Sequence, residues 1–456
     1  MRILIISKFF PPENSIASLR PYSWAKFWSR SGHDVSVLTT VKPSGKAEAL
    51  KFSNKESFKL FEIDYQQLYY KVQKIYLGNV KINDSSPSPD HITHIPKNNK
   101  EQKNGVKAFI KNNLKNINQF RLKRGFLSGQ RMPDTMDLWI KPALNWAREN
   151  GPWDLIVSSH APYASHIIAY KLKKEFLTKY WIADFRDLWT DHHIFKGLFP
   201  FTWVEKYLER QILAETNVIT TVSEPLANTI RKKNINRKIE VIENGFDIED
   251  LEGLPSEPIF RDNKIRIVYT GTIYKGKQNP KLLFDAVSEL AQNPEQKYLL
   301  NNLEILFIGA TNSIPLTQAK EAGVSDWVKD GGFLSREEVL RIQRDAHALL
   351  FLEFDKGNVK GILTGKLYEY LFSGTEIWAI DVFNDSSTGE IITKANAGIL
   401  FGDNQPFLLQ ELVRLLTQGQ KISPELNKKY IEKYSRKVLA EKMLDVISMY
   451  KMKTNK

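Results

Sequence analysis

The sequence contains no cysteine, so disulfide bonds, thiolate zinc sites and a cysteine nucleophile are excluded. Long apolar runs are also missing. Residues 3–6 are four consecutive aliphatic residues, followed closely by Lys8, which is too short a run for a signal-peptide core or a membrane span. We therefore expect a cytoplasmic protein, and residues 3–6 instead suit a buried parallel strand.

What is present suits a globular protein with an excess of positive charge. Apolar residues make up 42% and charged residues 26% of 456 residues, enough for two or three domains. The net charge of +13 favours acidic partners such as nucleotide phosphates, nucleic acid or anionic lipid. The alternative is that the charge only reflects a generally basic proteome.

Short apolar segments alternate with helical segments in both halves of the chain. This alternation predicts two doubly wound parallel sheets, with ligands beyond the carboxyl ends of the strands. A linker with two prolines and a glycine is expected at residues 253–263. The predicted strands are 3–6, 34–38, 154–158, 180–184, 218–222, 240–242, 265–269, 303–308, 328–330, 348–352, 377–380 and 397–401.

Residues 65–135 interrupt this plan and are predicted to be an insertion. Within them, residues 103–120 carry a lysine every fourth position, with apolar residues at helical spacing on another face. Such a basic amphipathic helix favours an anionic membrane surface, and hence the inner face of the plasma membrane. The alternative is a helix that packs on its own domain with its lysines in solvent.

The strongest local feature is the segment GKLYEY at residues 365–370, which follows a glycine-rich stretch. Free amides at a helix start favour a phosphate, and Lys366 adds a positive charge there. Glu369 lies one turn further on, where a carboxylate suits ribose or sugar hydroxyls better than a diphosphate. The alternative is an ordinary strand-to-helix turn with a surface salt bridge.

Several segments in this order resemble the retaining glycosyltransferases of the GT-B fold, in family 4. The opening βαβ unit at residues 11–39 is similar to that family, as are TTVSEPLANTIRKK with EVIENGFD, YTGTIYKGKQNPKLLFDAV, and GKLYEYLFSG. The resemblance implies an α/β protein of the GT-B class, with two Rossmann-like domains facing a central cleft. It places an acceptor domain at 1–255, a donor domain at 256–425 and a helix at 426–456 that crosses back.

The resemblance also implies a function. A sugar would pass from a nucleotide-diphosphate donor to a sugar or lipid-linked acceptor with retention, in cell-surface polysaccharide or lipopolysaccharide synthesis. Front-face transfer without a bound metal or other cofactor is expected, the leaving diphosphate helping to deprotonate the acceptor. No nucleic acid partner is expected. A GT-B nucleotide-sugar epimerase and a non-catalytic basic scaffold or nucleic-acid-binding protein remain alternatives.

Site residues follow from the same resemblance. The donor diphosphate would contact Lys366, the amides of residues 361–365 and either Lys277 or Lys275. Glu369 would bind the ribose, and the loop with Gly332 and Phe333 would meet the nucleobase. The implied donor set is Lys366, Gly365, Thr364, Lys277, Lys275, Glu369, Gly332 and Phe333.

Two positions depart from the family pattern. The first of two signature glutamates is replaced by Gly361, which puts the expected contact with the transferred sugar in doubt. Arg186 stands where many members have a histidine, within an Arg-Asp-Leu-Trp sequence typical of a subgroup. Arg186 is predicted to bind a phosphate of the donor or of a lipid-linked acceptor. Asp187 is predicted to orient Arg186 or bind an acceptor hydroxyl, and a structural Arg–Asp pair is the alternative.

Other first-half residues are weaker candidates. His160 follows a predicted strand and is a catalytic candidate, the alternative being a loop histidine bonded to backbone. Ser18 and Arg20 lie in the first cleft loop, where they would approach the donor phosphate or the acceptor. Arg131 and Asp134 precede a predicted helix. Their role is left open, with helix capping by Asp134 as the simplest expectation.

Overall fold

The computed structural model describes residues 1–13, 15–42, 57–65, 120–121, 123–309, 313–354 and 363–454. The predicted basic helix at 103–120 lies outside these residues, apart from Phe120, and so does Gly361. Two compact units are present. The first contains the described residues up to Ile242 together with those from Ala440 onward, and the second contains Glu243–Leu439.

The first unit is built on a seven-stranded parallel sheet with the order β3-β2-β1-β4-β5-β6-β7. The strand order reverses between β1 and β4, which is where ligands bind in open α/β sheets. Its strands are β1 (Arg2–Ile6), β2 (Asp34–Thr40), β3 (Lys59–Ile63), β4 (Trp153–His160), β5 (Thr178–Phe185), β6 (Val218–Thr221) and β7 (Lys238–Val241). Its helices are α1 (Ile16–Arg30), α2 (Asp137–Glu149), α3 (Ala164–Lys174), α4 (Phe201–Glu215) and α5 (Glu224–Arg231).

The second unit contains a six-stranded parallel sheet with the order β10-β9-β8-β11-β12-β13, which reverses between β8 and β11. Its strands are β8 (Ile265–Thr270), β9 (Leu303–Ile308), β10 (Val328–Gly332), β11 (Ala348–Leu352), β12 (Ile377–Ile380) and β13 (Gly398–Gly402). The helices are α6 (Glu249–Glu252), α7 (Lys281–Gln292), α8 (Ser313–Glu321), α9 (Arg336–Asp345), α10 (Gly365–Ser373), α11 (Ser387–Ala395), α12 (Gln405–Gln418), α13 (Lys428–Glu432) and α14 (Arg436–Thr454), whose last part belongs to the first unit.

Burial explains why the central strands contain little besides apolar residues. All residues of β8, β11 and β12 are buried, as expected for parallel strands covered on both faces by helices. Helix α9 begins with a capping box, in which Ser335 Oγ accepts from the Glu338 amide while Glu338 Oε2 accepts from the Ser335 amide. The prediction of an α/β protein with two Rossmann-like sheets is confirmed.

Several boundaries differ from those expected. The units divide between Ile242 and Glu243, whereas the sequence suggested 255/256. Edge strand β3 was not predicted, because its residues are only partly buried and lack a continuous apolar run. The tail is two helices rather than one, since residues 433–435 interrupt it and Ser435 pairs with Phe246 in an isolated bridge. Among the described residues, no helix is long and apolar enough to cross a membrane.

The C-terminal segment completes the first unit. Trp28 is fully buried in α1, and its indole Nε1 donates to the carbonyl of Ala440 at 2.9 Å. Lys442 Nζ donates to the carbonyl of Val241 at 2.8 Å, and Ile447 is buried. Helix α14 therefore supplies part of the core of a domain whose other residues come from the first half of the chain.

A buried ion pair fixes the segment before α2. Arg131 Nη2 lies 2.8 Å from Glu205 Oε2, and their side chains are 2% and 0% exposed. Arg131 Nη1 also donates to the carbonyl of Phe195 at 2.7 Å. Glu205 Oε1 accepts from the amide of Met132 at 2.8 Å. The role left open for Arg131 is therefore structural.

We expect Arg131→Ala to destabilise the protein by about 3–5 kcal/mol, because it leaves the Glu205 carboxylate buried without its cation. The matched control is Arg148→Ala, which breaks an exposed pair with Glu175 at 2.6 Å and should destabilise the protein far less, because water screens that pair. Urea unfolding of both variants measures the difference. Equal effects would show that the buried pair does not anchor this segment.

Candidate functional site

Glycines line the carboxyl edge of the second sheet. Gly271 follows β8 with φ of +110°, and Gly309 follows β9 with φ of +151°. The Gly271 amide donates to the carbonyl of Ile308 at 2.7 Å, and the Gly309 amide to that of Gly332 at 2.8 Å. A Cβ on Gly309 would lie 2.4 Å from the Gly271 carbonyl oxygen. These residues bring backbone close together at the strand ends, which leaves that edge without side chains.

Lys366 lies against this edge. Helix α10 begins at Gly365, and the side chain of Lys366 is buried with its Nζ 3.5 Å from the centre of the Tyr269 ring. A Cβ added to Gly271 would lie 3.2 Å from Lys366 Cε, so glycine makes room for the lysine stem. Burial lowers the pKa of Lys366 well below its usual range, while Glu369 acts in the opposite direction. A bound anion would raise this pKa again.

The start of α10 holds a further unsatisfied polar atom. Thr364 occupies the N-cap position, but its side chain makes no capping hydrogen bond. Its buried Oγ1 has no hydrogen-bond partner among the described residues. Buried hydroxyls in folded proteins are normally paired, so this atom suits a ligand. Thr364 and Lys366 meet where the first amides of a helix are also free.

Glu369 is held by an ion-pair network. Its Oε1 lies 2.7 Å from Arg336 Nη1, and Arg336 Nη2 lies 2.8 Å from Asp250. Gln343 Nε2 donates to Glu369 Oε2 at 3.4 Å and to Thr270 Oγ1 at 2.8 Å. Glu369 is therefore a buried carboxylate whose orientation is set by α9 and by the end of β8, one helical turn from Lys366.

Of the remaining donor candidates, Gly332 lies at this edge, because its carbonyl accepts from the Gly309 amide. Lys275 and Lys277 are exposed in the turn after β8. Phe333 is 47% exposed beyond β10. Gly361 lies outside the described residues, so the departure at this position stays a sequence observation. These assignments remain predictions.

Sequence reasoning missed three residues that organise the site. Arg336 and Gln343 lie on α9, and Tyr370 on α10 accepts a hydrogen bond from the Thr270 amide at 2.9 Å. Tyr370 thereby fixes the end of β8 beside α10. The strands predicted at 265–269 and 303–308 end directly before Thr270-Gly271 and Gly309. These glycines were the sequence signal for the glycine edge. Nothing in the spacing of Arg336 links it to Glu369, which follows 33 positions later.

In the first unit, Arg20 is not available as a cleft cation. Its guanidinium forms a bidentate ion pair with Asp184, with distances of 3.1 Å from Nε and 2.7 Å from Nη2. Asp184 is fully buried and also accepts from Ser159 and Thr220. Ser18 is buried too, and its hydroxyl is 3.0 Å from that of Ser15. Arg20 thus joins α1 to the end of β5.

His160 has a structural position. It is fully buried at the end of β4, and its Nδ1 is 3.0 Å from the carbonyl of Asp187, so the ring donates to backbone. Burial lowers its pKa to about 3, with neighbouring His166 acting in the same direction. The ring is therefore neutral at pH 7. The alternative of a loop histidine bonded to backbone describes it better than a solvent-facing catalytic group.

Arg186 and Asp187 lie beside the end of β5 and form a pair. Both Arg186 Nε and Nη2 are 3.2 Å from a single oxygen, Asp187 Oδ2. Partial burial acts to raise the pKa of Asp187, but Arg186 opposes this and the net shift is downward. The Arg186 side chain is 16% exposed and that of Asp187 is 36% exposed. This pair remains accessible at the strand ends, unlike Arg20 and His160.

Asp134 precedes α2 as expected, with Oδ1 accepting from the Met136 amide at 2.9 Å. Burial raises its pKa to about 6. Within the described part of the chain, no group of three or more His, Asp or Glu side chains could hold a metal ion. His192 and His193 stack on each other with ring centres 4.7 Å apart.

Comparison with known proteins shows which fold the chain has. Residues 98–250 match the model of Glycosyltransferase Family 4. The chain is similar to sucrose-phosphate synthase from Thermosynechococcus elongatus, with a TM-score of 0.57 at 12% identity over 98% of both chains. The chain has a GT-B fold, and the match to the family 4 model covers residues 98–250.

Two further structures share this GT-B fold. The apo form of the lipopolysaccharide outer core galactosyltransferase WaaB aligns with a TM-score of 0.55 at 13% identity, over 98% of this chain and 99% of that chain. An E. coli structure described as trehalose-6-phosphate bound with UDP-2-fluoro glucose gives 0.54 at 12% identity, over 99% and 96%. No curated protein matches the sequence significantly. At such identities the structural likeness establishes the fold.

We expect His160 to make this GT-B protein less stable as the pH falls from 6 to 4. In that range the unfolded histidine, with an ordinary pKa of 6.5, binds a proton, whereas the folded one, at about 3, does not. Stability therefore rises with pH, and His160→Asn should reduce the slope by about 1.4 kcal/mol per pH unit. Denaturant unfolding at several pH values measures the slope. An unchanged slope would mean that folded His160 is protonated.

Proposed function

We propose that this chain is a retaining glycosyltransferase that moves a sugar from a nucleotide-diphosphate donor to a sugar or lipid-linked acceptor. The observation that supports this most directly is the buried Lys366 at the start of α10, beside the glycine edge of β8. An amine that is buried without a carboxylate hydrogen bond lacks most of its charge stabilisation. A diphosphate would supply it.

In the proposed donor site, one group of residues binds the diphosphate and another binds the nucleoside. Lys366, the amides of Gly365 and Thr364, and the Thr364 hydroxyl would bind the diphosphate. Glu369 would accept hydrogen bonds from the ribose, with Arg336 holding the carboxylate in place. Lys277 or Lys275 would add a second phosphate contact, and Gly332 with Phe333 would meet the nucleobase. One structural neighbour binds UDP-2-fluoro glucose, so a UDP-sugar is the first donor to test.

The proposed chemistry needs no protein base. The bond between the sugar and the diphosphate oxygen breaks while the acceptor hydroxyl attacks the same face. The proton of that hydroxyl passes to the departing phosphate oxygen, so the products are a glycoside and the nucleotide diphosphate. Lys366 would stabilise the negative charge that develops on the leaving group. We propose that these groups do the work that a bound metal does elsewhere.

The proposal also covers the acceptor side and the cellular setting. Arg186 and Asp187 would contact the acceptor, because they are the accessible charged pair at the carboxyl edge of the first sheet. A role in cell-surface polysaccharide or lipopolysaccharide synthesis is supported by the fold shared with WaaB. A cytoplasmic enzyme at the inner face of the membrane would use residues 103–120, which carry the basic amphipathic pattern.

Donor binding is tested by thermal shift. A true donor should raise the unfolding temperature, and UDP-, GDP- and other nucleotide sugars are screened in turn. Lys366→Met should weaken the affinity about tenfold to a hundredfold, because a charge-assisted hydrogen bond is worth roughly 1.5–3 kcal/mol. Lys320→Met, on the exposed surface of α8, is the control and should bind normally. No shift with any nucleotide sugar would contradict the donor proposal.

Transfer itself is tested by release of nucleotide diphosphate. We expect release to depend on an added acceptor and to be unaffected by EDTA, because Lys366 and the helix start neutralise the leaving group. An epimerase would convert the donor without any acceptor. A nucleic-acid-binding protein would keep salt-sensitive polynucleotide binding in the Lys366→Met variant. Activity lost in EDTA and restored by Mg²⁺ would contradict metal-independent transfer.

A further inference from the structure

Two cations from different strand ends converge on one aromatic ring in the first unit. Lys8 follows β1, and its Nζ lies 4.2 Å from the centre of the Phe9 ring. Arg186 follows β5, and its Cζ lies 5.4 Å from the same ring centre. The two charges are therefore no further apart than these two distances taken together. Phe9 itself is 4% exposed.

Both cations keep N–H groups that have no partner among the described residues, although Arg186 also pairs with Asp187. Lys8 Nζ has no carboxylate or hydrogen-bond partner within the described residues, only the ring. Arg186 uses Nε and Nη2 on one carboxylate oxygen of Asp187, and its Nη1 has no hydrogen bond in the described part of the chain. Two adjacent like charges repel each other, and an anion between them removes that cost. Guanidinium and ammonium groups both suit phosphate.

Hydrogen bonds hold the backbone of the two loops that carry these cations. The Lys8 carbonyl accepts from Thr39 Oγ1 at 3.0 Å and from the buried ammonium of Lys42 on the β2 side. The Asp187 carbonyl accepts from buried His160 at 3.0 Å. These bonds hold the loops after β1 and β5 rather than the charged groups themselves. The arrangement is a rigid base with two charged side chains at the edge of the sheet.

We propose that Lys8 and Arg186 together bind a phosphate or diphosphate group of the acceptor. The pair lies beyond the carboxyl ends of β1 and β5, beside the point where the strand order of this sheet reverses, which is the usual ligand position. The acceptor is then an anionic molecule, such as a lipid-linked diphosphate sugar or a sugar phosphate. This inference rests on the proposed transferase function but concerns the domain that does not hold Lys366.

The site is tested by calorimetric titration of the full-length Lys366→Met protein with inorganic pyrophosphate. That background removes the main cation of the donor site, so the donor and acceptor proposals can fail separately. Lys8→Met, which keeps the length of the stem, should reduce the affinity for pyrophosphate at least about tenfold, as expected for loss of one charged contact. Lys8→Arg should retain binding. Lys206→Met, on the exposed face of α4, is the control and should bind like the background.

Arg186→Lys provides a second variant that keeps the charge but loses the planar guanidinium. Melting curves without ligand show whether each variant is folded. Equal pyrophosphate affinity in the Lys8→Met variant and its background would overturn the proposal. A parallel titration with geranyl diphosphate distinguishes the two sources of the anion. Tighter binding than pyrophosphate supports a lipid-linked acceptor, and equal binding supports a phosphate-bearing sugar without a lipid contact.

Discussion

The candidate donor site in the second domain is built around the contact between the Lys366 amine and the Tyr269 ring. A lysine can occupy this position only because Gly271 has no side chain and because Tyr370 fixes the end of β8. The same strand end must lie close to Gly309, which itself must be a glycine. Most of the cost of burying the amine is left uncompensated within the described residues. A protein that retains such a cation at a strand edge is prepared for an anion.

The two sheets treat their central polar groups differently. In the first domain, Asp184 has four hydrogen bonds or ion contacts from Arg20, Ser159 and Thr220, so the centre of the edge is closed. In the second, the buried Thr364 Oγ1 has no hydrogen-bond partner among the described residues. Satisfied networks make a domain rigid, whereas unsatisfied groups mark places where a ligand completes the structure. In the first domain, the accessible positive charge near this edge is that of Arg186, whose side chain is 16% exposed.

The alternation of apolar and helical segments was enough to predict both sheets, because buried parallel strands need continuous apolar runs. The start of α10 could be predicted for a different reason, since Gly365 and Lys366 follow a glycine-rich stretch that leads into a helix. Edge strand β3 could not be predicted, because its residues are only partly buried and it has no continuous apolar run. The ion pairs Arg20–Asp184 and Arg336–Glu369 join residues 164 and 33 positions apart. Such pairs join distant parts of the sequence, so no local pattern predicts them. The sequence therefore suggested that Arg20 contacts a ligand, whereas its guanidinium pairs with buried Asp184.

The bond from Trp28 to Ala440 has a consequence for synthesis on the ribosome. The N-terminal domain includes a segment that is translated after the second domain, so its core lacks a piece until residues beyond Leu439 have emerged. The second domain, Glu243–Leu439, is continuous and has all its residues earlier. The first domain therefore completes its core only after the second domain has been translated, and a chain that stopped before Ala440 would leave the Trp28 indole without this partner.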